Sequence, residues 1–187
     1  MTLRPRATTL RCISTIALAL ASGLALADKD DDGDRQVRAR LSGFQEVPVV
    51  STTGSGEFKA RINKQTGEIE YEFSSTDMQG TVTQAHIHLG QRSVNGGIMV
   101  WLCQSVTNPA PAAVAGTTPT CSSPQFASSG LITATSVVGP GGAQQLGAGE
   151  LEELVAALRA GVAYVNVHTN LSPTGEIRGQ IAPGHRH

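Results

Sequence analysis

The sequence lacks the motifs that indicate covalent catalysis or phosphate binding. It holds no G-x-S-x-G turn for a serine nucleophile, and no glycine-rich loop joins a strand to a helix. It also lacks an excess of basic residues, because 14 lysines and arginines stand against 15 aspartates and glutamates. These absences argue against a covalent hydrolase and against a nucleic-acid-binding protein.

Long apolar runs are absent beyond the N-terminus. Three arginines precede the apolar run at 13–26, and the small residue Ala27 ends it. This order is typical of a secretory signal peptide, so we predict one over 1–27 with cleavage after Ala27. No later run reaches the roughly 20 apolar residues of a membrane span. The sequence therefore predicts a secreted or periplasmic protein with no membrane span after cleavage.

The mature chain begins with the acidic segment 28–34, DKDDDGD. Its spacing matches the first half of a calcium-binding loop, but Ala39 stands where such a loop needs its bidentate glutamate. We therefore expect a flexible acidic N-terminus and no calcium site. A single domain is predicted over 35–183, followed by a C-terminal tail at 184–187.

Two cysteines remain after cleavage, Cys103 and Cys121. In an oxidising compartment, two such cysteines predict a disulfide bond. The segment between them is rich in proline, alanine and threonine and has no hydrophobic period. We predict that it is a surface excursion fixed by the disulfide.

Alternation of apolar and polar residues dominates the mature chain and predicts β-strands. A hairpin is predicted in which Phe58, Ala60 and Ile62 face Ile69, Tyr71 and Phe73 across a turn at 63–67. Further strands are predicted at 82–89, 98–103, 131–138, 163–169 and 176–181. Helical spacing of leucines predicts one short helix at about 149–160. The expected fold is all-β: an antiparallel, Greek-key-like β-sandwich or barrel of seven to eight strands with one short helix.

Two histidines one residue apart lie in the predicted strand at 82–89. Alternation places His86 and His88 on the face opposite Ile87, and His168 has the same position in the strand at 163–169. If the two strands are neighbours, the three imidazoles converge in an arrangement that suits Zn²⁺ or Cu²⁺. The alternative is that these histidines are ordinary polar positions on exposed strand faces, or that they hydrogen-bond neighbouring backbone and carboxylates.

Other polar residues allow more than one interpretation. Glu176 and Arg178 share a strand face, which indicates a cross-strand ion-pair face or a contact with substrate. Glu46 precedes Pro48 at the end of a strand, so its carboxylate is structural, faces solvent or orients an imidazole. Asn170 begins a glycosylation sequon, which matters only in a host that glycosylates secreted proteins.

Three stretches together resemble the CHRD domain family, which is named for chordin. They are LSGFQEVPVV, AHIHLGQRSVNGGIMVWL and YVNVHTNLSPTGEIRGQI, and they occur in the order seen in that family. The resemblance implies one secreted domain of bacterial type. It implies no catalytic residue. The positions that the resemblance marks as signature positions are His86, His88, His168, Glu46, Tyr164, Asn166, Glu176 and Arg178.

Three functions are compatible with these residues. The leading hypothesis is a non-enzymatic extracytoplasmic binding module whose ligand is an unidentified protein or a metal ion, copper or zinc. The second is a copper-dependent redox enzyme, because the order His-x-His followed by a later strand histidine resembles that of copper-zinc superoxide dismutase. The third is a structural or adhesive domain.

Overall fold

The computed structural model describes Met1 and residues 36–184. The predicted signal peptide, the acidic segment 28–34 and the last three residues lie outside the described residues. The strands in the described part are β1 Gln36–Ser42, β2 Ser55–Ile62, β3 Ile69–Thr76, β4 Val82–Leu89, β5 Ile98–Cys103, β6 Phe126–Ile132, β7 Ala163–Thr169, β8 Ile177–Gln180 and β9 Ala182–Pro183. The helices there are α1 Ala112–Ala115 and α2 Leu151–Arg159.

The strands form one antiparallel sheet in the order β5-β4-β7-β8-β1-β2-β3-β6, with β9 beside β1. The sheet nearly closes into a barrel, because a bridge between Val100 and Val137 links β5 to the segment that follows β6. Its interior is a continuous apolar core to which α2 contributes Leu154 and Leu158. The predicted all-β fold with one short helix at about 149–160 is confirmed, and α1 adds a single helical turn.

The predicted β2–β3 hairpin is confirmed residue by residue. Phe58 pairs with Phe73, Ala60 with Tyr71 and Ile62 with Ile69. Gly67 closes the turn with a φ of +73°. Glycine adopts this conformation at little cost because it has no Cβ. Strict alternation over both strands is therefore sufficient to fix the register.

The prediction of a strand at 131–138 is wrong. The sixth strand is Phe126–Ile132, and the chain then forms a 3₁₀ turn at Ala134–Ser136 that Thr133 caps with its side chain. β6 lies at the end of the sheet path, and only its first and last residues are buried. Because most of its side chains are not required by the core, the strand carries no alternation that the sequence could reveal.

The predicted disulfide between Cys103 and Cys121 is confirmed, with the two Cα atoms 5.1 Å apart. The excursion that it closes is more ordered than its composition indicates. The amide of Gln104 donates to the carbonyls of Ala115 and Thr118 and accepts from the backbone of Ala110. One glutamine thus satisfies backbone groups of the excursion that no strand partner reaches. Among the described residues, neither helix is long and apolar enough to cross a membrane.

Replacing both cysteines, Cys103→Ser with Cys121→Ser, should lower the free energy of unfolding by about 3 kcal/mol, because the 18-residue loop is no longer closed in the unfolded chain. Urea denaturation followed by circular dichroism measures the change. Wild-type protein unfolded in the presence of a reductant is the matched control and should show a similar loss. Equal stability of the oxidised, reduced and double-variant proteins would contradict a stabilising role.

Candidate metal centre

β4 and β7 are neighbours in the sheet, which brings the three histidines of the described chain together. His86 stands opposite Asn166, and His88 stands opposite Tyr164. His168 lies diagonally from His86, across from Gln84. Since alternate residues of paired strands point to the same side, the three imidazoles share one face of the sheet.

The three rings are close enough to share one ion. The His86 ring centroid lies 5.3 Å from that of His88 and 5.1 Å from that of His168. One ring nitrogen of each histidine can be chosen so that all three lie within 4.8 Å of one another. Three atoms at that spacing fit a circle of roughly 2.8 Å radius, and metal–imidazole bonds are about 2.0–2.1 Å long, so shifts of under about 1 Å complete the site.

The interpretation of these histidines as exposed polar positions is wrong. His86 is 1%, His88 7% and His168 8% exposed. All seven residues of β7 are buried, so both faces of this strand are covered. The core covers one face, and loops that follow β1, β4 and β7 contact the side chains of the other.

Backbone carbonyls fix the orientation of two rings. The Nδ1 atom of His88 lies 2.9 Å from the Gly96 oxygen, and the Nδ1 atom of His168 lies 2.9 Å from the Pro173 oxygen. A carbonyl can only accept, so each Nδ1 carries the hydrogen and each Nε2 presents a lone pair. Both Nε2 atoms are buried, and neither has a hydrogen-bond partner among the described residues.

His86 lacks a partner on either ring nitrogen within the described part of the chain. Its ring packs edge-on against Trp101 of β5, with centroids 4.2 Å apart. Trp101 is opposite His86 in the β4–β5 pair, so the indole forms one wall of the cluster. Buried nitrogens without partners are rare in folded proteins, and within the described chain these three rings together hold four of them.

Burial keeps the imidazoles neutral. It lowers the pKa of His86 to about 2, with the neighbouring His168 and His88 rings adding to the effect. Burial also lowers the pKa of His88 to about 4, although the hydrogen bond to Gly96 opposes it, and it lowers the pKa of His168. Neutral imidazoles are the form that binds a metal ion.

Arg178 of β8 fixes the loop that holds His88. Its guanidinium donates to the Asn95 side chain and to the backbone oxygens of Gln91 and Val94. The same group lies 3.4 Å from the centre of the Tyr164 ring, which stacks on His88. The loop closes tightly there, because a Cβ on Gly96 would collide with the Leu89 carbonyl.

Glu176, just before β8, fixes the loop that holds His168. Its carboxylate accepts from the Thr52 and Thr169 hydroxyls and from the backbone of Gln79 and Gly80. Burial alone would raise the pKa of Glu176, but these four hydrogen bonds outweigh it and the pKa is lowered. The expected cross-strand ion-pair face is therefore wrong: within the described chain Glu176 and Arg178 each hold a different loop instead of pairing.

Glu46 is buried, and the described part of the chain gives its carboxylate an amide partner and no imidazole partner. Its Oε1 accepts from the Asn166 amide at 2.5 Å, and Asn166 stands opposite both His86 and Arg178. Gly175 makes room for this pair, since a Cβ there would collide with both side chains. Burial raises the pKa of Glu46 to about 7, even though Arg178 and the hydrogen bonds from Val47 and Asn166 oppose the shift.

Sequence reasoning missed three groups that complete the cluster: Trp101 and the carbonyls of Gly96 and Pro173. Trp101 is the only tryptophan of the chain, and it follows the His-x-His strand across one loop. That position is the signal that could have identified it. The two carbonyls carry no sequence signal, because every residue has one.

The family model of the CHRD domain matches residues 37–181 of this chain. The matched range holds β2 through β8, all of β1 except Gln36, and every residue of the cluster. No curated protein and no solved structure matches the chain.

The substitution Glu46→Gln should make stability less dependent on pH. Because the folded-state pKa of about 7 exceeds the ordinary 4.5, the folded protein favours the protonated carboxyl, and wild type loses stability as pH rises between these values. The neutral glutamine avoids this loss. Its advantage in free energy of unfolding should grow by up to about 3 kcal/mol between about pH 4 and about pH 8.

Urea denaturation across this pH range measures the difference. Glu72→Gln, which removes an exposed carboxylate from β3, is the control and should follow the wild-type pH dependence. Parallel stability curves for wild type and Glu46→Gln would show that burial does not perturb Glu46.

Proposed function

This chain belongs to the CHRD domain family, and on that premise we propose that it is an exported, non-enzymatic binding module that holds one transition-metal ion, copper or zinc. His86, His88 and His168 are the proposed ligands. The Nε2 atoms of His88 and His168 provide two donor atoms, and His86 provides the third.

One observation carries this proposal: three buried imidazoles present lone pairs that no described protein group satisfies. A buried polar atom without a partner costs about 1–3 kcal/mol, so the cluster destabilises the fold unless a ligand accepts its lone pairs. A single ion satisfies all three lone pairs at once. The hydrogen bonds from Nδ1 to backbone carbonyls are the outer contacts that orient metal-binding histidines in proteins.

The burial of the cluster favours binding over catalysis. A copper-dependent redox enzyme using the same histidines needs an open coordination position and a path for its substrate, but at least nine-tenths of each imidazole is covered. A purely structural or adhesive domain accounts even less well for the cluster, since hydrophobic residues in these positions would stabilise the same strands without unsatisfied nitrogens.

Export is supported by the N-terminal sequence and by the disulfide. Arginines, an apolar run and Ala27 occur in the order typical of a cleaved signal peptide. The bond between Cys103 and Cys121 is of the kind that persists outside the cytosol.

The proposal predicts about one metal ion per chain in protein purified without chelators or an affinity tag, because one cluster supplies one set of ligands. The variant His86→Ala/His88→Ala should lose the ion. Elemental analysis by mass spectrometry after dialysis measures the stoichiometry, and circular dichroism checks that the variant is folded.

The chain offers a matched control. His185 and His187 repeat the His-x-His spacing in the C-terminal tail, outside the described residues. The variant His185→Ala/His187→Ala removes the same residues at the same spacing and should retain the ion. Two results would contradict the proposed function. One is loss of metal from the tail variant alone, and the other is no metal in wild type even after loading with copper and zinc.

A further inference from the structure

The candidate centre offers an ion an uncharged set of ligands. Within the described chain, the group of potential ligand atoms at this place consists of three imidazoles and includes no carboxylate and no thiolate. An imidazole binds a metal ion through the lone pair of the neutral ring, so none of the three ligands brings a charge. An ion bound here therefore keeps its full charge, and the surroundings must accommodate it.

Burial penalises that charge steeply. The free-energy cost of moving an ion out of water grows with the square of its charge. The cost for a divalent ion is therefore about four times that for a monovalent ion of the same size. The ligands are 1%, 7% and 8% exposed, which leaves little water to offset the cost. Desolvation therefore favours the ion with the lower charge.

A fixed positive charge lies beside the cluster. The guanidinium of Arg178 is 3.4 Å from the centre of the Tyr164 ring, and that ring stacks on His88 with centroids 4.7 Å apart. Arg178 is 1% exposed, so water does not screen its charge effectively. At this spacing and with little screening by water, the guanidinium repels positive charge at His88.

The nearby carboxylates do not compensate. Four hydrogen bonds from backbone and hydroxyl groups engage the Glu176 carboxylate. Glu46 is bound to Asn166, and burial raises its pKa to about 7, so at neutral pH it is only partly ionised. Neither carboxylate joins the ligand group.

The number of ligands leads to the same conclusion. Zn²⁺ in proteins takes four ligands, and Cu²⁺ takes a square-planar or tetragonal set. The cluster offers three nitrogens, so a divalent ion needs at least one water or other ligand at a place that is almost closed to solvent, where the Trp101 ring packs against His86. Monovalent copper is stable with two or three imidazole nitrogens and needs no further ligand.

From neutral ligands, burial and the Arg178 charge, we infer that the centre is a site for monovalent copper, Cu(I), and that Arg178 selects against the divalent ions. This inference rests on the proposed function, because it names the ion that the proposed module holds. Arg178 acts through space and through the Tyr164 stack, so it is a selectivity residue and not a ligand.

The test compares dissociation constants for Cu(I), Cu²⁺ and Zn²⁺ on the variant His185→Ala/His187→Ala, which removes competition from the tail. Cu(I) is supplied without oxygen and measured against bicinchoninate, and the divalent ions are measured against chromophoric chelators. Cu(I) should bind at least about tenfold more tightly than either divalent ion. Tighter binding of Zn²⁺ or Cu²⁺ overturns the inference and leaves the proposed function intact, whereas binding of no ion by the histidines overturns both.

The charge of Arg178 is tested in the same protein. Arg178→Gln should lower the ratio of Cu(I) to Cu²⁺ affinity by about tenfold, which equals a fall of ~59 mV in the potential of the bound copper. Arg178→Lys keeps the charge and should restore most of the ratio. A loop disturbed by either substitution weakens both ions alike and leaves the ratio unchanged, so an unchanged ratio in Arg178→Gln overturns the role of Arg178. If Arg178→Gln does not fold, the ranking of the three ions still decides the inference.

Discussion

The β4–β7 pair is buried on both faces, and the organisation of the site depends on this constraint. On one face Ile87 and Val165 enter the apolar core. On the other face every side chain is polar or aromatic, so each polar atom needs a partner that the sheet cannot provide. The loops provide these partners, and Glu176 and Arg178 hold the loops in place. On these two strands, no described residue satisfies one nitrogen lone pair each on His88 and His168 or either nitrogen of His86.

Alternation predicted most of the fold because the core requires it. Where a strand has one face in the core, as β2 and β3 do, the apolar residues recur at every second position and the register follows. The same rule placed His86, His88 and His168 on a common side of their strands. It failed for β6, because an edge strand with few core contacts carries no such pattern.

The candidate site was predictable in its ligands but not in its surroundings. Strand periodicity says which side chains share a face, but it does not say whether that face meets water. The loops that cover it are fixed by contacts between distant residues, such as Glu46 with Asn166 and Arg178 with Gln91. Trp101 and the carbonyls of Gly96 and Pro173 belong to the same class of contact, since tertiary structure alone brings them to the imidazoles.

The distance along the chain between the two halves of the cluster has a consequence for the order of events in the cell. His88 and His168 are separated by about 80 residues, and they meet only when β7 pairs with β4. An unfolded chain crossing a membrane has no such pairing and therefore no cluster. If the chain is exported before it folds, as proposed above, an ion bound by the cluster comes from the compartment in which the chain folds.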